Sequence, residues 1–273
     1  MAPPLTGVAQ AALRPHIPAM NSRRPEQPAR PSEAVVPQAP PGSRIYAIGD
    51  IHGRADLLRQ LHRLIHEDAY RRQAPRNVVV YLGDYVDRGD ESRAVIDLLL
   101  DERLPSFESI HIKGNHEESM LRFLEDTAVG PPWLFYGGGQ TLASYGVRPP
   151  EMPLNARDLL RAQSELAERL PPRHRRFLVD LSLSHSEGDY FFAHAGVRPG
   201  VPLDQQTAQD LLWIRDDFLL SEANFGKIVV HGHTIVPRPD VRPNRIGIDT
   251  GAFASGHLTC LILEGSQLGF LQT

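Results

Sequence analysis

Five short segments of the sequence combine glycine with side chains that bind metals or move protons. The candidate side chains are Asp50, His52, Asp84, Asn115, His116, His194 and His233, whereas His231 is interpreted as structural. Carboxylate, imidazole and amide ligands suit Mn²⁺, Fe, Zn²⁺ or Mg²⁺. These ligands are too many for one tetrahedral ion, but they fit two ions that share a bridging carboxylate. Two such ions can clamp the attacking and leaving oxygens of an in-line displacement, so the set indicates phosphoester hydrolysis.

Each of these segments follows an apolar run that is typical of a strand. The runs are RIYAI before Gly49, NVVVYL before Gly83, SIHI before Lys113, DYFFA before His194 and KIVV before His231. A single Gly-Asp or His-Ala-Gly sequence is common in turns. Five such sequences, each at the end of a strand, instead indicate a shared function. In open α/β sheets, ligands bind beyond the carboxyl ends of the strands. We therefore expect the five segments to converge on one site.

Helical patterns separate the first three strands. The segment ADLLRQLHRLIHEDAY places five apolar residues on one helical face, namely Leu57, Leu58, Leu61, Leu64 and Ile65. Alternating strands and helices predict an α/β fold with parallel strands. A helical insertion is expected at about residues 127–186. The later strands, including HLTCLILEG and QLGFLQT, predict a second mixed sheet, so the expected fold class is two packed mixed β-sheets flanked by α-helices.

The first 43 residues are rich in proline, which lacks a backbone donor and interrupts helices and sheets. We predict that residues 1–43 form a disordered or extended tail, within which Met20 is a candidate for the true start. The catalytic domain is then expected to span residues 44–273.

Composition excludes several classes of partner. The formal net charge of −4 gives no support for a nucleic-acid or membrane partner. The single cysteine, Cys260, cannot form an intramolecular disulfide. No apolar stretch approaches the ~20 residues that span a bilayer. We therefore predict a cytoplasmic protein, monomeric by default.

The motifs GDIHG, GDYVDRG, GNHE, HAG and HGHT occur in the order typical of one family. With them the chain resembles the calcineurin-like metallophosphoesterases, and within these the bacterial and phage-type phosphoprotein phosphatases. The resemblance runs from about Arg44 to the C-terminus. It implies a phosphatase acting on phosphoserine and phosphothreonine proteins, or on phosphorylated small molecules. It also implies two divalent ions, with Mn²⁺ expected first, and attack on phosphorus by a hydroxide held between them.

The same resemblance implies a role for each matching residue. Asp50 and His52 would bind the first metal, Asp84 would bridge both, and Asn115, His194 and His233 would bind the second. His116 would protonate the leaving group with Asp87 as its carboxylate partner. The phosphate would be bound by Arg88, Arg215 and Asn115.

The chain differs from many metallophosphoesterases at one position, and two alternative functions remain. Many general metallophosphoesterases have a further histidine where this chain has Ile235, and the phosphoprotein phosphatase branch resembles this chain in lacking it. Enzymes of the same fold cleave dinucleoside polyphosphates such as diadenosine tetraphosphate, although Asp87 favours the protein phosphatases. The other alternative is a phosphate-binding protein without activity, which the complete ligand set disfavours.

Overall fold

The computed structural model describes residues 1–3, 36–102 and 104–273. The chain divides into residues 1–35 and residues 36–273, and only the second unit is described below. Most of the predicted tail, including Met20, lies outside the described residues. Residues 36–43 contact the folded domain, and β1 already begins at Ser43. There the Gln38 amide donates to Asp189 Oδ2 at 2.9 Å and the Ala39 amide to the Gly265 carbonyl at 2.8 Å, so the folded chain begins before Arg44.

The strands form two five-stranded sheets. In chain order the strands are β1 Ser43–Ile48, β2 Arg76–Tyr81, β3 Phe107–His111, β4 Ser184–Glu187, β5 Tyr190–Ala193, β6 Ile228–His231, β7 Asp240–Val241, β8 Arg245–Gly247, β9 Thr259–Glu264 and β10 Gln267–Gln272. The first sheet has the order β10-β9-β1-β2-β3 and the second β4-β5-β6-β8-β7. In the first sheet β1, β2 and β3 are parallel, and in the second β5, β6 and β8 are parallel.

The assignment of the last two strands to the second sheet is wrong. β9 pairs antiparallel with β1, and β10 pairs with β9, so both belong to the first sheet. The apolar pattern of a strand indicates which of its faces are buried but not which strand lies beside it. The overall prediction of two mixed sheets flanked by helices is confirmed.

The helices cover the outer faces of the sheets and form most of the insertion. They are α1 Ala55–Arg72, α2 Ser92–Asp101, α3 Asn115–Phe123, α4 Gly130–Trp133, α5 Gly139–Ser144, α6 Ala156–Arg169, α7 Pro172–Val179, α8 Ala208–Trp213, α9 Asp216–Leu219 and α10 Ala252–Ser255. The predicted insertion contains α4 to α7, whereas its last three residues belong to β4. In the described ranges, no helix combines the length and the apolar character needed to cross a membrane.

Strand β1 is buried on both faces, as expected for a strand inside a layered α/β fold. Ile45 and Ala47 belong to the core between the two sheets, together with Phe192 and Val230 of the second sheet. Tyr46 and Ile48 belong to the core beneath the helices. In that core α1 buries the predicted face through Leu57, Leu58, Leu61 and Ile65, with Leu64 partly buried at its edge. The buried strand β1 is thus packed from both sides, and the loop that holds Asp50 and His52 follows its carboxyl end.

Candidate active site

The loops at the carboxyl ends of the strands have strained backbones. Among the described residues, five of the seven non-glycine residues with positive φ lie in these loops, namely His52, Asp84, Asp87, Arg88 and His233. Such conformations cost on the order of 1–3 kcal/mol each and persist where the surroundings fix them. Strain is therefore concentrated where the predicted ligands and catalytic residues lie.

His52, Asp84 and His116 form the first group of side chains that could hold a cation, with ligand atoms within 4.8 Å of one another. His52 Nδ1 donates to the Val86 carbonyl at 2.8 Å, which leaves Nε2 free to face Asp84 Oδ2 at 3.4 Å. Burial first, and then the charges of His116 and Arg88, lower the pKa of His52 to about 3. His52 is therefore a neutral imidazole whose lone pair faces the site.

Asp84, His194 and His233 form the second group. His194 Nδ1 donates to the Leu82 carbonyl at 2.9 Å, so its Nε2 is the free ligand atom, 3.4 Å from Asp84 Oδ1. Asn115 Oδ1 lies 2.9 Å from His194 Nε2 and 2.8 Å from His233 Nδ1. Burial and the neighbouring His194 lower the pKa of His233 to about 2.

Asp84 belongs to both groups and is the predicted bridging residue. Burial alone would raise its pKa, but His194, His116 and His52 around it hold the pKa well below the ordinary value. The Asp84 carboxylate is therefore ionised and presents one oxygen to each group.

Asp50 lies beside the second group and not within the first. Its Oδ2 accepts a hydrogen bond from the His233 amide at 3.0 Å. Gly232 is required here, because an added Cβ would lie 2.0 Å from Asp50 Oδ1. Burial, followed by the charges of Asp249 and Asp84, raises the pKa of Asp50. Its predicted role as a ligand of the first metal stays a prediction.

His116 and Asp87 form a buried pair. His116 Nδ1 lies 2.6 Å from Asp87 Oδ2, and the other ring nitrogen lies 3.2 Å from an Arg88 guanidinium nitrogen. Burial lowers the pKa of His116, but Asp84 and Asp87 outweigh that effect and raise it to about 8. The two carboxylates thus favour the imidazolium form, whereas the Arg88 guanidinium, which can only donate, faces Nε2 and opposes a proton there.

The two predicted phosphate-binding arginines lie on different sides of the site. The Arg88 guanidinium stacks on Phe253 at 4.7 Å from the ring centroid. Arg215 is exposed and donates to Thr234 Oγ1 at 3.2 Å, and its charge contributes to the lowered pKa of His194 and His233. Two guanidiniums therefore flank the two groups of ligands.

The sequence model of calcineurin-like phosphoesterases matches residues 43–257. The chain belongs to the calcineurin-like phosphoesterase family. It is 32% identical over 224 residues to serine/threonine-protein phosphatase 2 of Salmonella typhimurium, covering 79% of this chain and 90% of the relative. It is also 29% identical over 238 residues to the bis(5'-nucleosyl)-tetraphosphatase PrpE of Oceanobacillus iheyensis, with coverage of 79% and 87%.

A solved structure with the same fold is the cold-active protein-tyrosine phosphatase of a psychrophilic Shewanella species. The TM-score is 0.55 at 16% identity, with coverage of 86% of this chain and 82% of that one. The predicted resemblance to the calcineurin-like phosphoesterases is confirmed, and the chain is a hydrolase of the metallophosphoesterase class.

The residues of this metallophosphoesterase fit the dinuclear metal centre of its family. Within the described part of the chain, Asp50 Oδ1 and His52 Nε2 are buried and lack hydrogen-bond partners, which is costly unless another ligand satisfies them. In the second group His194 Nε2, His233 Nδ1 and Asn115 Oδ1 lie within 3.2 Å of one another, and a cation could bind all three atoms. Oxygen and imidazole donors suit a divalent ion but do not select one metal.

Two buried carboxylates of the site were missed in the sequence. Glu117 lies in the first turn of α3, and its carboxylate accepts hydrogen bonds from the Asp84, Tyr85 and Gly114 amides at 2.9, 2.7 and 2.8 Å. The glutamate three residues after Gly114 is the spacing of a capping box, which was the available signal. Asp249 is the second of these carboxylates, and burial, followed by the charge of Asp84, raises its pKa to about 6.

Proposed function

We propose that this metallophosphoesterase hydrolyses phosphomonoesters of serine and threonine in proteins. The observation that carries the proposal is the buried pair of His116 and Asp87, 2.6 Å apart, beside the shared carboxylate Asp84. An alkoxide is a poor leaving group, so its departure benefits from a positioned acid, which typically contributes roughly 10²–10⁴-fold. A phosphate leaving group, as in a dinucleoside polyphosphate, needs such an acid less.

Six residues would hold two divalent ions, with Mn²⁺ as our first expectation: Asp50, His52, Asp84, Asn115, His194 and His233. When bound, such ions supply an activated water and a positive charge at the phosphoryl oxygens. Arg88 and Arg215 would bind phosphate oxygens, since a planar guanidinium can engage two oxygens at once. The Asn115 amide would add a neutral contact to the same phosphate.

His116 would donate its Nε2 proton to the leaving oxygen. Asp87 accepts from Nδ1 and thereby fixes which ring nitrogen faces the substrate. A cavity of about 420 Å³ adjoins this residue, and its wall includes Asn115, Trp133, Tyr136 and Trp213. We assign this cavity to the leaving group of the substrate.

The main alternative is hydrolysis of dinucleoside polyphosphates. It is supported by the relative of Oceanobacillus iheyensis, whose name carries that activity. The two functions are separated by parallel assays on a phosphoserine peptide and on diadenosine tetraphosphate. We expect the larger kcat/KM on the phosphopeptide, and the reverse order would establish the alternative.

A protein that only binds phosphate is tested with p-nitrophenyl phosphate. We expect release of phosphate that requires Mn²⁺. A folded, metal-loaded protein without turnover would instead support a binding function.

A further inference from the structure

The Asp87 carboxylate is held by three donors, two of which come from the insertion. Asp87 Oδ2 accepts from His116 Nδ1 at 2.6 Å and from the Trp133 indole N–H at 2.8 Å. Oδ1 accepts from the Thr141 hydroxyl at 2.6 Å. The same hydroxyl accepts from the Asp87 amide at 2.8 Å. All four residues are buried, so the carboxylate is fixed from three directions without help from solvent.

A turn rich in glycine brings Trp133 and Thr141 to the same carboxylate. The turn, Leu134–Gly138, lies between α4 and α5 and is kinked at Gly137, whose backbone is not helical. An added Cβ at Gly138 would lie 2.5 Å from the Trp133 ring. Gly137 has φ +110° and its carbonyl accepts from the Arg88 amide at 3.1 Å. The glycines thus allow the turn to pack directly on the catalytic loop.

We propose that Trp133 and Thr141 are positioning residues for proton donation by His116. This inference rests on the proposed role of His116 as the acid. In that step the Nε2–H bond breaks and an O–H bond forms on the leaving oxygen as the P–O bond breaks. A neutral imidazole remains, and its Nδ1 proton stays hydrogen-bonded to Asp87. A general acid must lie within hydrogen-bond reach of its target, so a carboxylate free to turn would misdirect the ring.

The test compares two substrates that differ in their need for an acid. Phenyl phosphate has the poorer leaving group, and p-nitrophenyl phosphate the better. In Trp133→Phe and Thr141→Val we expect kcat on phenyl phosphate to fall roughly 10- to 100-fold, the equivalent of one lost hydrogen bond to a charged group. On p-nitrophenyl phosphate kcat should change little. KM and the Mn²⁺ content should be unchanged for both substrates.

Matched variants separate positioning from packing. Phe123→Leu removes the ring that packs 4.8 Å from Trp133 but leaves the indole hydrogen bond, so it should affect both substrates equally. Thr141→Ser keeps the hydroxyl and should retain activity on phenyl phosphate, which tests the idea even if Trp133→Phe fails to fold. Equal losses on both substrates in Thr141→Val would overturn the inference.

Combination with His116→Asn distinguishes this inference from the proposed function. In that background Trp133→Phe and Thr141→Val should cause no further loss on phenyl phosphate, because the acid they position is gone. A further loss of the same size would mean that they act elsewhere. If His116→Asn itself lowers kcat equally on both substrates, His116 is not the acid. That result would contradict the proposed function and not the positioning role.

Discussion

Asp84 Oδ1 lies 3.4 Å from His194 Nε2, while Oδ2 of the same carboxylate lies 3.4 Å from His52 Nε2. One carboxylate thus links the two groups of ligands. We predict that Asp84→Asn weakens binding of both metal ions at once, because the amide lacks the charge and one of the two oxygens. Calorimetric titration with Mn²⁺ measures this. The control is the exposed neighbour Asp90, whose change to Asn should leave binding intact. Loss of only one ion in Asp84→Asn would contradict the bridging role.

His116→Asn is expected to lower kcat on a phosphoserine peptide by roughly two to four orders of magnitude. The reason is loss of the proton donor, so KM should change less. Metal content, measured by elemental analysis, should stay the same, although His116 lies in the first group of possible ligands. A variant that loses metal would show that His116 is a ligand. The exposed His66 offers a control substitution to Asn.

Glu117→Gln is expected to lower the free energy of unfolding by about 2 kcal/mol, because an amide group replaces an acceptor of backbone N–H groups. Urea denaturation measures the change. Glu118→Gln is the matched control, since Glu118 is partly exposed and its ion pair with Lys113 is long, at 3.8 Å. Equal stability of the two variants would show that the Glu117 hydrogen bonds contribute little.

The ion pair between Arg76 of β2 and Glu187 of β4 joins the two sheets, at 2.7 Å. Hydrogen bonds from Arg76 lower the pKa of Glu187. Burial opposes this effect, and the hydrogen bond with His185 adds to it. Its contribution to stability is therefore complete above the unfolded-state value of about 4.3 and is lost as pH falls through the lower folded-state pKa. We predict that the stability difference between the parent and Glu187→Gln shrinks below that pH.

Urea denaturation at pH 7 and at pH 3 measures this difference. Glu108→Gln removes the other carboxylate on Arg76, which is half exposed, and should have a smaller effect at either pH. A difference for Glu187→Gln that does not depend on pH would contradict the prediction.

The sequence predicted the ligand loops because each lies at the end of its own strand, and strand ends are local features. Parallel strands then bring Asp50, Asp84 and Asn115 to one edge of the sheet without further information. The contacts of Trp133 and Thr141 with Asp87 were not predictable in this way. They span 46 and 54 positions and depend on the path of the insertion. The pairing of β9 with β1 was missed for the same reason.

That pairing constrains how the protein can be made. Arg44 of β1 lies opposite Glu264 of β9, 220 positions later in the chain. While a ribosome synthesises the intervening residues, at roughly 5–20 per second, one edge of β1 has no strand to pair with. The nascent chain therefore carries an unpaired sheet edge for roughly 10–45 seconds, and an unpaired edge of this kind is prone to aggregation.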